Sequence, residues 1–87
     1  GEIIVQPSLD IYPLPFDQVF TVKLKEESAG DAELKLFSVT GEFLGDIGLL
    51  EEGTMQLSYA CAALSSGVYF LRYADSKKVM VTKLIKQ

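Results

Sequence analysis

Side chains able to do chemistry are few in this chain and poorly spaced for it. The 87 residues contain no histidine, which removes the commonest general base, the Ser-His-Asp and Cys-His arrangements and the usual transition-metal ligand together. Carboxylates come in two adjacent pairs, Glu26-Glu27 and Glu51-Glu52. Neighbours on a strand point to opposite faces, and both pairs flank glycines in turn-like sequence, so solvated loop charge is the simpler reading. A glycosidase needs two carboxyls facing across a cleft, which a domain this small has little room to form. Asp31, Asp46 and Asp75 lack the spacing of a calcium loop. Gly41, Gly45, Gly48 and Gly53 are not followed by the strand-to-helix transition that a phosphate cradle requires. Cys61 is the one cysteine, so neither an internal disulfide nor a zinc-thiolate cluster can form, and its small apolar neighbours point to a buried, inert thiol. The expectation is a chain that is not an enzyme, with no catalytic residue, no metal and no cofactor.

The elements that position these residues are strands. In "VFTVKLK", Phe20, Val22 and Leu24 alternate with polar residues, which predicts a half-buried strand at about 19–25. "AELKLFSV" predicts another at 32–38 on Leu34 and Leu36, and "EFLGDIGL" a third, in which Gly45 and Gly48 mark a bulge or a close backbone contact. "TMQLSY", "GVYFLRYA" and "KKVMVTKLIK" follow, and "IIVQPSLDIYPLPF" adds one or two more. Thr40-Gly41 supplies a tight turn, because glycine takes positive φ without a Cβ penalty. Asp75 and Ser76 are turn residues whose side chains bond their own backbone. Pro13 and Pro15 lack amide donors and stiffen "YPLPF" into an extended edge or linker segment. "SYACAALSS" is too short for more than about a turn of helix. Such a series of short strands separated by Gly, Ser and Asp turns indicates an all-β, antiparallel sandwich of about seven strands.

Composition agrees with one folded domain over 1–87. Hydrophobic residues make up 48% of the chain and mean hydropathy is +0.23, too apolar for intrinsic disorder. A net charge of −4 and a pI near 4.6 argue against nucleic acid, which needs a basic face. The charge is unevenly spread. Residues 1–71 carry three lysines against eleven acidic residues, whereas residues 72–87 carry five basic residues against Asp75 alone. Lysines on an exposed strand discourage edge-to-edge aggregation; the sharper reading is a docking face for an acidic partner. The longest apolar run, "YACAAL", is six residues, far below the ~20 that span a bilayer, so direct membrane insertion is not expected. Gly1 is an odd natural beginning, and the expectation is the terminal piece of a longer protein, with residues 1–7 as residual linker.

Taken in order, "YPLPF…FTVKL…AELKLFSVTGEFL…LSSGVYFLRY…KKVMVTKLIKQ" resembles the type A C-terminal sorting domain of proteins exported by the bacterial type IX secretion system, over roughly residues 8–87. The resemblance implies an immunoglobulin-like sandwich that serves as a non-catalytic secretion signal. It implies partners too: an N-terminal cargo in cis, the outer-membrane translocon with its shuttle proteins, and a sortase-like surface signal peptidase. The domain would pass through the periplasm and end at the cell surface or outside the cell. On matching positions, Pro13, Pro15 and Phe16 correspond to the first motif and Thr40 and Gly41 to the central turn. Gly67, Val68 and Tyr69 correspond to the third motif, and Val81, Lys83, Ile85, Lys86 and Gln87 to the last. Together with Lys77 and Lys78, the residues of the third and last motifs are the expected translocon contacts. Val79, Val81 and Ile85 are expected to pack one face of the closing strand, leaving Lys77, Lys83 and Lys86 to a partner. Removal of the last five residues is expected to leave much of the sandwich while stopping export.

This sequence departs from the family pattern at Leu14, where asparagine is usual, at Ser38, where Asp or Asn is common, and at Glu42, where a basic residue is frequent. The alternative reading is an immunoglobulin-like accessory or adhesion domain of an extracellular hydrolase, which alternation alone supports equally. A third is a carbohydrate-binding module using an exposed Tyr12 or Tyr73. Edge strands leave pairing with a second copy open.

Overall fold

The computed structural model describes residues 2–4, 9–61 and 63–87. Among them, eight strands are ordered β1 (Glu2–Ile4), β2 (Leu9–Tyr12), β3 (Val19–Leu24), β4 (Ala32–Ser38), β5 (Phe43–Leu50), β6 (Gln56–Ala60), β7 (Gly67–Ala74) and β8 (Lys78–Lys86). They form a five-stranded sheet in the order β1-β8-β7-β4-β5 and a three-stranded sheet in the order β2-β3-β6. The expected all-β sandwich is therefore present, and strand limits fall within about two residues of the alternation pattern, as is usual at strand ends.

The core is the inner face of each sheet. Phe20, Val22 and Leu24 of β3 meet Leu34 and Leu36 of β4, Leu71 and Tyr73 of β7, and Met80 and Leu84 of β8, all essentially removed from water. Each such side chain contributes roughly 1.5–3 kcal/mol of transfer free energy, which is what overcomes the entropy of ordering a chain this short.

Two expectations are corrected at the chain's first strand and its last. Glu2–Ile4 fall within the stretch read as linker, yet they pair in parallel with Lys78–Met80 and cover one edge of the large sheet. Ile3 and Ile4 also open "IIVQPSLDIYPLPF", which the alternation offers as strand, and the pairing decides between the two readings by giving the β8 edge backbone partners. In β8 the inward positions are Met80, Leu84 and Lys86, while Ile85 is exposed and Val79 and Val81 are only partly buried. A strand that is apolar on both faces has no alternation to declare its parity, and one residue of slip exchanges the two faces. The closing five residues include fully buried Leu84, so their removal strips core as well as any address. The expectation of a largely intact truncated sandwich is withdrawn on that ground.

The glycines of β5 serve both anticipated purposes. The β4–β5 register shifts between Leu34 and Lys35 and again between Leu36 and Phe37, beside Gly48 and Gly45. A Cβ on Gly48 would lie 3.0 Å from a Leu57 methyl across the sandwich, so this position also admits a close approach between the sheets.

The outer face of β7 and β8 as the candidate recognition site

The motif positions separate into two groups by the side of the sheet they occupy. The first group faces the core or ties chain segments together. Phe16 is completely buried, with its ring 5.0 Å from that of Phe20 and tilted against it. Its backbone forms a parallel bridge to Lys86: the Phe16 N–H donates to the Ile85 carbonyl at 2.9 Å, and the Gln87 N–H donates to the Phe16 carbonyl at 2.8 Å. The first motif and the last, remote in sequence, are one hydrogen-bonded unit. Pro13 and Pro15, both exposed, carry the chain from β2 to this bridge without amide donors that a neighbour would have to satisfy. Next in the segment, Gln18 accepts from the Cys61 N–H at 2.7 Å and from the Cys61 Sγ at 3.4 Å through its carbonyl. Burial pushes the Cys61 thiol up from its ordinary value, leaving it protonated and inert, as the sequence implied.

Lys86 belongs to this unit and is not free for a partner. It is 7% exposed, its Nζ lies 3.9 Å from an Asp17 carboxylate oxygen, and it donates to the Gln87 carbonyl at 3.1 Å. The Asp17 side chain is 74% exposed, so the ion pair contributes about 1 kcal/mol or less. The buried aliphatic stem is the larger effect. Tyr69 acts in the same way. It packs against the core, and its hydroxyl donates to the Ser65 carbonyl at 2.6 Å, which pins the β6–β7 connection from four residues downstream, much as a tyrosine corner does.

The second group looks outward from the five-stranded sheet. Val68 and Ile85 stand opposite each other on β7 and β8, exposed by 37% and 41%. Phe70 stands opposite Lys83, and Arg72 opposite Val81. On β4 and β5 the same face carries Glu33, Lys35 and Phe37, with Asp46 and Phe43 opposite the last two. The rings of Phe37 and Phe43 are 5.7 Å apart in an edge arrangement, and the Lys35 ammonium lies 5.7 Å from the Phe43 centroid. Thr40 and Gly41 border this face in the β4–β5 turn. Phe37, Phe43, Phe70 and Arg72 lie apart in the sequence and are brought together as a surface only by the sheet. For Phe37 a signal was available, because Leu34 and Leu36 point inward and Phe37 therefore falls on the outward parity of β4.

The turn chemistry accommodates the departure at Ser38. Its Oγ accepts from the Glu42 N–H at 3.1 Å and is hydrogen-bonded to Thr40 Oγ1 at 2.9 Å, while the Gly41 N–H donates to the Ser38 carbonyl at 3.0 Å. A serine hydroxyl thus does here what an Asp or Asn carboxyl or amide oxygen would do. Gly41 has φ +91° with open space around its missing Cβ, so the cost of a side chain there is conformational alone. Gly41→Ala is expected to lower stability by about 1 kcal/mol without altering the fold, measured by urea denaturation with an unchanged m-value.

Lys77 and Lys78 lie at the other end of the sheet, at the β7–β8 hairpin, and are not brought to this face. The Lys78 ammonium is 3.6 Å from the Glu26 carboxylate. The hairpin is organised by Asp75, whose Oδ1 accepts from the Lys77 and Lys78 amides at 2.8 and 2.9 Å, and whose Oδ2 accepts from the Tyr73 hydroxyl at 2.6 Å and the Ala29 amide at 3.1 Å. Burial pushes the Asp75 pKa up, but the Tyr73 hydroxyl and the three amides overcome it and bring the pKa down to about 2. Ser76 does not bond its own backbone as expected. Its hydroxyl reaches across to the Ala29 carbonyl at 2.8 Å, fastening the hairpin to the β3–β4 loop. Tyr73 is buried, which removes it as a sugar-stacking residue.

Among the described residues, no cluster of three or more His, Cys, Asp or Glu side chains could hold a metal ion. The model of the family described as secretion system C-terminal sorting domain matches residues 10–87. Among solved structures, the sulfur carrier protein SoxY from Chlorobium limicola f thiosulfatophilum is similar, with a TM-score of 0.58 at 12% identity over 99% of this chain and 84% of that one. At that identity the likeness is one of fold. No curated protein matches the chain. With nearly all of its length inside the family match, the chain belongs to the C-terminal sorting domains of the type IX secretion system and is a non-catalytic export signal for a destination outside the cell or on its surface.

Proposed function

We propose that the export machinery reads the outer face of β7 and β8, through Val68, Val81, Lys83 and Ile85 with Thr40-Gly41 at its border. In this reading Phe16, Tyr69, Lys86 and Gln87 act by keeping the closing strand seated. The observation that carries the reading is the contiguous apolar run on one outer face, Val68 opposite Ile85 and Phe70 and Val81 beside them, continued on β4 and β5 by Phe37 and Phe43, since a contiguous apolar surface, unlike single exposed side chains, marks an interaction site. The partners are the outer-membrane translocon and its shuttle proteins, met in the periplasm by a folded domain behind its cargo. A sortase-like peptidase acts afterwards at the surface. Lys77 lies apart from this face and is exposed, so it is a second, separate contact or none.

The test places the domain behind a periplasmic reporter in a cell with a working type IX system. Val68→Lys combined with Ile85→Glu keeps a favourable cross-strand pair and leaves the core untouched. Surface delivery should fall by about tenfold or more, because two central apolar anchors are lost, while the melting temperature of the isolated domain stays within a few degrees. Undiminished delivery of the folded double variant would remove the β7–β8 face from recognition.

A further inference from the structure

An open cleft of about 480 Å³ lies on the same outer face, between the β4–β5 turn and strands β7 and β8, with Phe37, Val39, Thr40, Phe70, Arg72 and Val81 along it. Its lining is apolar apart from the turn's polar atoms and the Arg72 guanidinium. The outward residues of β7 and β8 include Arg72 and Lys83 and no carboxylate. Neither cation has an ion-pair partner among the described residues, whereas Lys35 beside Arg72 is taken up by Glu33 at 3.8 Å. On β7 and β8 this leaves an apolar strip with two cations, Arg72 and Lys83, on a protein of net charge −4, which favours an acidic, apolar ligand there over a basic one. Arginine is suited to this use, because its planar fork binds a carboxylate through two hydrogen bonds and sheds water more readily than an ammonium.

Resting on the β7–β8 face as the recognition surface, we propose that this cleft takes an extended segment of a partner protein in which an apolar side chain is flanked by carboxylates. The apolar side chain lies on Phe37, Phe70 and Val81, and one carboxylate meets Arg72. The shape suits a passing chain more than an enclosed small molecule, since the cleft is open along its length.

The test is an amide chemical-shift titration of the full 87-residue chain with three blocked tetrapeptides: Glu-Leu-Phe-Glu, Lys-Leu-Phe-Lys and Glu-Gly-Gly-Glu. The acidic apolar peptide should give saturable shifts at residues 37–41, 70–72 and 81, and bind about tenfold or more tightly than either counterpart. Arg72→Gln should abolish the preference for the acidic peptide over the basic one while leaving the fold unchanged, as loss of a charge-assisted pair predicts. Equal binding of acidic and basic peptides overturns the proposal, as does an absence of saturable shifts up to about 10 mM, which is weaker than any useful contact. So do shifts at these residues that track protein concentration alone, which would make a second copy the occupant, or that appear only with vesicles of anionic lipid. Failure here is distinguishable from failure of the face itself. Loss of export in the Val68→Lys, Ile85→Glu variant without any acidic preference leaves the face correct and its ligand chemistry wrong. Selective peptide binding with undiminished export supports the cleft and sinks the export reading.

Discussion

Phe16→Ala is expected to cost about 3–5 kcal/mol, a large share of the ~5–10 kcal/mol that holds a domain of this size together. The phenylalanine is fully buried and stacked at a tilt on Phe20, which in turn meets Tyr59 at 5.8 Å between centroids. Truncation to alanine removes the transfer free energy of the ring and leaves a cavity that the sheets on either side cannot close. The effect reaches beyond packing because the same residue's N–H and C=O hold Ile85 and Gln87. Guanidinium denaturation should show the loss, and hydrogen exchange at the Gln87 amide should quicken by more than the global destabilisation explains. Phe16→Leu, which retains most of the volume, should lose about 1–1.5 kcal/mol and keep the Gln87 amide protected. A loss below about 1 kcal/mol for the alanine variant would mean that the 13–18 segment does not anchor the closing strand. For export, the consequence is that a first-motif variant fails by releasing the last strand, so its defect should be relieved by low temperature, whereas that of an outer-face variant should not.

The second large effect concerns Asp75 and acid. Its carboxylate accepts four hydrogen bonds and its pKa falls to about 2, below the ~3.9 of an unfolded aspartate. A depressed pKa means that the contribution is fully present above about pH 4 and is lost as pH falls toward 2. Asp75→Asn should therefore destabilise the domain by about 1–3 kcal/mol at pH 7. Whichever way the amide is turned, its NH₂ replaces an acceptor and faces either the Ala29 amide or those of Lys77 and Lys78. The gap between the native protein and the variant should shrink between pH 4 and pH 2, since protonation takes from the native protein what the substitution has already taken from the variant. Denaturant titrations at pH 7, 4 and 2 on both proteins measure it. A gap that is constant across this range would show that the hairpin does not depend on the ionised carboxylate. The Tyr73 hydroxyl, buried and bonded to Asp75, is held well above its ordinary pKa, so it remains a donor to Asp75 throughout that range.

Strands with one clean face were legible before any coordinates. Phe20, Val22 and Leu24, or Leu34 and Leu36, declare their parity because lysine, threonine and glutamate stand between them, and burial follows that parity directly. The buried thiol and the Thr40-Gly41 turn were legible for the same reason, since each depends on a few neighbours. The third and last motifs are legible as strings, but which of their residues point outward is not. Val68, Val81, Lys83 and Ile85 are outward and Tyr69 and Lys86 inward, a division set by how β8 sits between β7 and β1.

By itself, then, the amino-acid order determined the strands, the turns between them, the all-β class and the family, because these depend on local steric preference and on periods of two. Tertiary structure alone decided the parity of β8, the parallel pairing of Glu2–Ile4 with its edge, the bridge between Phe16 and Lys86 and the grouping of Phe37, Phe43, Phe70, Arg72 and Lys83 on one outer face. Those features join residues far apart along the chain, and a lysine whose stem is sheltered or an aromatic turned outward differs from its opposite only in what the rest of the fold places beside it.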